Sequence, residues 1–177
     1  MRHRSTSLSI LMALVFTFLM PLSVGAAQAP GTEDREGRFK AGADVGVLFA
    51  TADEEAVGVN LYGDYFFNPN ISIGPLVQFG FTSDLFQFGP SVQLKYTHDI
   101  DNRWKGHLQI GLGFMYADLD GGNDDTGVLI PMGGGIEYRF TDRLSFGTTV
   151  LLNFTDLDKV RNENFNLGLF GGLKWRF

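Results

Sequence analysis

The chain has 177 residues, with 14 lysines and arginines against 20 aspartates and glutamates, and a formal charge of −6 at pH 7. It has no cysteine, which excludes a disulfide framework and any thiol site, and its acidity argues against nucleic acid as a partner. Past the amino terminus no segment is long and apolar enough for a transmembrane helix, although a barrel needs only every second residue to be apolar.

Residues 1–29 contain no acidic side chain. Arg2 and Arg4 precede an apolar run from Leu8 to Leu22, and the small residues Ser23, Gly25, Ala26, Ala27 and Ala29 follow. This is the layout of a secretory signal peptide, with cleavage expected near residues 26–29. The apolar run falls short of the roughly 20 residues that a helical span needs. Its removal leaves 12 basic residues against 20 acidic ones, a charge of −8. Residues 30–177 are then one domain in length.

After a charged lead-in at 35–38, the side chains alternate with the period of a strand. Eight runs are predicted. The first covers 38–50, with Phe39, Val45, Val47 and Phe49 on its apolar face, and the second covers 57–67, with Val57, Leu61, Tyr65 and Phe67. Asn68-Pro69-Asn70 turns into the third, 71–82, and Ser83-Asp84 into the fourth, 85–98. A turn at 99–103 leads to the fifth, 104–117, and an acidic, glycine-containing loop at 118–126 to the sixth, 127–140. Thr141-Asp142-Arg143 opens the seventh, 144–154, and a loop at 156–164 leads to the eighth, which ends at Phe177. Aromatic residues gather toward the strand ends: Tyr65, Tyr96, Trp104, Tyr138 and Trp175 at one, Phe49, Phe81, Phe86 and Phe154 at the other. Such belts are expected where a protein crosses two lipid–water interfaces.

The opposite faces carry Lys40, Asp44, Asp64, Gln78, Gln93, Lys95, Lys105, His107, Glu137, Arg139, Lys174 and Arg176, interspersed with many glycines. They read as a lumen. A water-soluble sandwich or lipocalin-like barrel would reverse the two faces, and alternation alone does not say which face is inside. The aromatics at the strand ends and the small residues on the polar face favour the membrane arrangement. Pro75, Pro90 and Pro131 fall inside strands and are expected to mark bulges, with a lateral gap in the wall as the other reading.

The segment Gly133-Gly-Gly-Ile-Glu-Tyr-Arg-Phe-Thr-Asp-Arg-Leu-Ser-Phe146, together with Leu173-Lys-Trp-Arg-Phe177, resembles the small outer-membrane protein β-barrel domain family, with its eight-stranded OmpA-, OmpX- and OmpW-like architecture. A last strand closing on Trp175 and Phe177 is similar to the signal that the barrel-assembly machinery reads. The resemblance implies an all-β, antiparallel up-and-down transmembrane β-barrel in a Gram-negative outer membrane, in contact with its lipid and monomeric or weakly associating. It does not imply one activity.

Two constellations remain. Lys95, Lys105, Arg139, Lys174 and Arg176 gather at the inner end, where they are expected to meet Asp64 and Glu137. An ion-pair network filling the interior is one reading, and a constriction that selects small solutes or ions is the other. On the outer loops, Asp118, Asp120, Asp124 and Asp125 could hold a divalent cation, although the glutamate expected at the twelfth position of a calcium loop is missing. The export-ready chain has only His98 and His107, with no nucleophile elbow, zinc spacing or phosphate loop, so neither an enzyme nor a cofactor is expected. A structural or surface-interaction role comes first, a channel second and a lipid-modifying enzyme third.

Overall fold

The computed structural model describes residues 35–51, 54–119, 123–157 and 163–177; the predicted signal peptide lies outside them. The described residues form β1 (Phe39–Thr51), β2 (Glu54–Phe66), β3 (Ile71–Phe81), β4 (Leu85–Asp99), β5 (Trp104–Leu119), β6 (Asn123–Arg139), β7 (Leu144–Leu157) and β8 (Glu163–Arg176). Each strand pairs antiparallel with its chain neighbour, and β8 pairs with β1, so the sheet closes on itself. Moving through paired residues from Gly42 to Tyr62, Leu76, Ser91, Gly113, Leu129 and Thr155 climbs from the foot of β1 to the far end of β7. That stagger is the strand tilt a closed barrel requires.

The wall is apolar outside and polar inside. Val45, Leu61, Val92, Ile110, Leu112, Phe114 and Leu173 are exposed, Ile110 by 47% and Leu112 by 64%, while Asp64, Lys95, Glu137 and Lys174 are buried. A barrel dissolved in water would have the reverse. In hydrocarbon this arrangement is stable, because closure satisfies the backbone and the outer side chains meet lipid. Two aromatic girdles flank the apolar band. Trp104, Tyr138 and Phe140 form a chain of ring contacts at 4.9 and 5.3 Å at the inner end. Phe81 and Phe86 meet at 5.6 Å, as do Phe154 and Phe165, at the outer end. Leu112→Arg, near the middle of β5, is expected to cost about 2–4 kcal/mol in a denaturant titration from lipid vesicles, whereas arginine at an exposed inner-turn position such as Asn102 should cost far less.

The inner turns share one device. The Asn68 Oδ1 accepts from the amides of Asn70 and Ile71, both at 2.8 Å. The Asp101 Oδ1 accepts from Arg103 and Trp104 at 2.6 and 2.7 Å. The Thr141 Oγ1 accepts from Arg143 and Leu144 at 3.3 and 2.9 Å. In each, a short polar side chain stands in for the missing ladder partner. The amides of Trp104 and Arg103 hold the Asp101 carboxyl below the usual carboxylate range. The outer Thr82–Leu85 turn repeats the arrangement through the Thr82 Oγ1.

Two expectations are corrected. The acidic loop at 118–126 is largely strand: Asp118 pairs with Asp124 and Leu119 with Asn123, and β7 likewise runs on to Leu157. Alternation persists here with the polarity reversed, Asp118, Asp124 and Asp156 facing out and Ala117, Leu129 and Leu157 facing in. The barrel therefore stands above the apolar band with an outer wall suited to water. The prolines, secondly, are not bulges. Pro75 stays in register with Val92, Pro90 with Val77 and Pro131 with Asn153. Each interrupts pairing only with its other neighbour and without a slip, as loss of a single N–H donor dictates. The register shifts lie instead between Leu48 and Thr51, where Ala50 takes a φ of 60°, and between Phe154 and Leu157.

Candidate functional site

The interior is filled in tiers. The innermost is ionic. The Lys40 Nζ donates to the Glu137 Oε2 at 2.6 Å, the Lys174 Nζ lies 3.5 Å from the same oxygen, and the Ser145 Oγ donates to the Glu137 Oε1 at 2.6 Å. The Lys95 Nζ donates to the Asp64 Oδ2 at 2.8 Å, and the Gln93 Nε2 to the Asp64 Oδ1 at 3.2 Å. Asp64 is fully buried. Unpaired charge at such depth would cost several kcal/mol, so the pairing is a condition of the packing.

Tyr62 joins the two groups. Its hydroxyl donates to the Asp44 Oδ1 at 3.2 Å, and its ring faces the Lys95 Nζ at 4.5 Å and the Lys174 Nζ at 5.8 Å. The ring lies across the face of Gly42, where a Cβ would come within 2.5 Å of it. A Cβ at Gly147 would likewise meet the Lys174 Nζ at 2.7 Å. The lumen glycines at these two positions therefore make room for specific neighbours. His107, also buried, places its Nε2 3.3 Å from the Thr149 Oγ1.

The middle tier sets amides beside an apolar cluster. Gln78 and Asn153 exchange hydrogen bonds at 3.2 and 3.0 Å across the barrel, and the Asn153 Nδ2 donates to the Asn166 Oδ1 at 2.8 Å. Leu48, Leu76, Leu151 and Phe170 pack alongside. At the outer end Leu85, Met115, Ala117, Leu129 and Leu157 form a second apolar cluster.

The sequence-predicted residues thus separate. Asp64, Lys95, Glu137 and Lys174 lie in the ionic tier, and Lys40, Asp44, Tyr62 and Ser145 complete it. Arg139 and Arg176 stand instead at the inner rim, where their guanidinium groups donate to the carbonyls of Asn102 and Asp142. Strand ends bring them level with the turns, above which Glu137 is already occupied. Lys105 is buried at the same mouth. The lead-in closes over part of this opening: Arg35 pairs with Asp99 and lies 5.9 Å from the Phe66 ring centroid, and the Gly37 amide donates to the Phe66 carbonyl at 2.8 Å. The apolar residues of the interior lie on the face read as a polar lumen; carrying the same parity through Leu76, Met115, Leu129, Leu151 and Phe170 would have found them.

Of the predicted cation loop, Asp118 and Asp124 sit opposite each other on the outer wall, Asp125 pairs with Ala117, and Asp120 lies outside the described residues. Among the described residues no three metal-ligating side chains converge. Trp175 and Phe177 are exposed at the inner end, and the Phe177 amide donates to the Phe39 carbonyl at 3.0 Å, with the two rings 6.1 Å apart.

A family model described as outer membrane protein beta-barrel domain matches residues 14–177. No curated protein matches the chain in a sequence comparison. Among solved structures, the N-terminal β-barrel domain of Pseudomonas aeruginosa OprF is similar at a TM-score of 0.64 and 13% identity, over 82% of this chain and 100% of that one. Neisserial surface protein A is similar at 0.64 and 14%, over 79% and 96%. Ail, the attachment invasion locus protein of Yersinia pestis, is similar at 0.53 and 16%, over 80% and 99%. Identities this low establish a shared fold.

Proposed function

We propose, for a chain that belongs to the outer membrane protein β-barrel domain family, a structural or surface-interaction role in which the barrel is closed to solute. The observation that carries this reading is the filling of the interior from end to end. Ion pairs occupy the inner tier, an amide bridge and Phe170 the middle, and a leucine-rich cluster the outer end. Ions crossing this path would have to displace buried charges and then traverse an apolar section without partners, and both steps are costly.

The channel reading has the basic inner end in its favour, and the apolar outer cluster counts against it. Purified protein in a planar bilayer is expected to stay electrically silent; reproducible single-channel steps would overturn the closed reading. For surface interaction, the support is the strand extension above the outer girdle, which presents Asp118, Asp124 and Asp156 to water, with Asp84 exposed in the Thr82–Leu85 turn beside it. Attachment is the printed role of Ail alone. In this chain, the corresponding proposal is contact through an acidic outer rim. The partners that accompany it are outer-membrane lipid along the apolar band, the assembly machinery at Trp175 and Phe177, divalent cations at the acidic rim, and no second copy of the chain.

A further inference from the structure

We propose that the outer wall at the inner end of β5 carries a site for one phospholipid, its phosphate held at Arg103, Trp104 and Tyr138 and an acyl chain lying along the wall above them. The proposal deepens the reading of this wall as lipid-facing and rests on it. Arg103 is exposed in the 99–103 turn, and its Nη1 donates to the Tyr138 hydroxyl at 2.9 Å. Tyr138 belongs to the outward chain of rings, 4.9 Å from Trp104 and 5.3 Å from Phe140. The guanidinium is therefore turned to the outside of the barrel at the level of the girdle, where the apolar band ends and lipid headgroups begin.

The side chains gathered there are donors. The Tyr138 hydroxyl accepts from Arg103, which leaves its own proton to donate. The Trp104 indole N–H and the other guanidinium N–H groups of Arg103 have no acceptor among the described residues. The carboxylate of the same turn, Asp101, is engaged through its Oδ1 with the amides of Arg103 and Trp104. Among the described residues no carboxylate lies within ion-pair distance of the Arg103 guanidinium. A guanidinium positioned by one hydrogen bond, with further N–H and O–H groups beside it, matches the oxygens of a phosphodiester.

A second observation identifies the source of that phosphate. Leu108 and Ile110 follow Trp104 on the same outward face of β5, about 13 and 20 Å along the strand. With Ile71, Leu94 and Tyr96 they line an apolar groove of about 270 Å³. Gly106 stands between Trp104 and Leu108, and a Cβ there would meet only the Ile100 Cδ1, at 3.7 Å, so the wall is open between girdle and groove. A donor cluster at the girdle and a groove on its hydrocarbon side fit the head and one chain of a single molecule. Free phosphate would use the donors and leave the groove without a role.

The test uses the refolded barrel in dodecyl maltoside micelles, which contain no phosphate, with the Trp104 indole N–H followed by NMR at constant ionic strength. The probes are dimyristoyl phosphatidylglycerol, dimyristoylglycerol with the same chains and no phosphate, and sodium phosphate. The phospholipid is expected to shift the indole signal saturably, and the other two are not. Arg103→Gln should weaken phospholipid binding about tenfold and Tyr138→Phe about threefold. Arg38→Gln, which alters an exposed arginine of the lead-in, should leave it unchanged. A phospholipid shift that never saturates would overturn the proposal. So would equal saturation by dimyristoylglycerol, which would reduce the site to its groove, or saturation by sodium phosphate, which would make it a site for the free ion. An equal loss from Arg38→Gln would also overturn it, as general attraction to the basic rim. Heat-modifiable gel mobility reports separately whether each sample is a folded barrel in its micelle, so a failed lipid site and a failed membrane reading cannot be confused.

Discussion

Glu137→Ala is expected to destabilise the folded barrel by about 3–5 kcal/mol, the usual cost of removing one partner from a buried ionic group. Glu137, on β6, joins three other strands: Lys40 on the distant β1, Lys174 on β8 and Ser145 on the neighbouring β7 all converge on its two oxygens. Without it, two buried ammonium groups lose their shared carboxylate while their desolvation remains. The triple variant Lys40→Met, Glu137→Leu, Lys174→Met should recover most of that loss, because side chains of similar volume fill the tier without charge. Denaturant unfolding from lipid vesicles, followed by the fluorescence of Trp104 and Trp175, measures both. An unchanged midpoint for Glu137→Ala would mean that the ionic tier contributes nothing to stability.

Phe170→Ala should cost a comparable amount, about 3–5 kcal/mol, for a different reason. The ring is buried at the middle of the barrel and lies against Gly58, Gly168 and the side chain of Leu48. Two of those neighbours have no side chain with which to fill the void, so collapse is limited and the cavity persists. Phe170→Leu should cost less, on the order of 1–1.5 kcal/mol, since most of the volume is kept. Neither variant should conduct, because Leu85, Met115, Leu129 and Leu157 still occupy the outer end. The same unfolding titration, paired with bilayer recordings, separates packing from closure. A conducting Phe170→Ala would show that this ring is the seal.

Much of the wall was readable residue by residue. Val45, Leu61, Leu112 and Leu173 were set on one face by period two, the strand-end aromatics and the small residues on the opposite face turned that face outward, and the Asn68, Asp101 and Thr141 turns were read from their turn-forming residues. The extension of β5 and β6 into the acidic segment was missed because carboxylates and glycines resemble loop chemistry, although Asp118 and Asp124 keep the strand's alternation. The prolines misled in the opposite sense. A missing donor was read as a slip, whereas one side of each strand stays paired through it. Within the interior, Lys95 meets Asp64 and Lys174 meets Glu137, whereas the Arg139 and Arg176 guanidinium groups donate to the carbonyls of Asn102 and Asp142 at the turns, a placement that only the register of the closed sheet decides.

The sequence by itself determined the strand count, the two faces of each strand and the inner turns, because these depend on side-chain alternation and on residues a few positions apart, and the aromatics at the strand ends marked which face meets lipid. Only the tertiary structure decided which charges meet and what blocks the interior. Lys40 and Glu137 are 97 positions apart, and the stagger of the closed sheet carries one strand's residues across to another's. That stagger is a property of eight registers taken together, and no single strand encodes it.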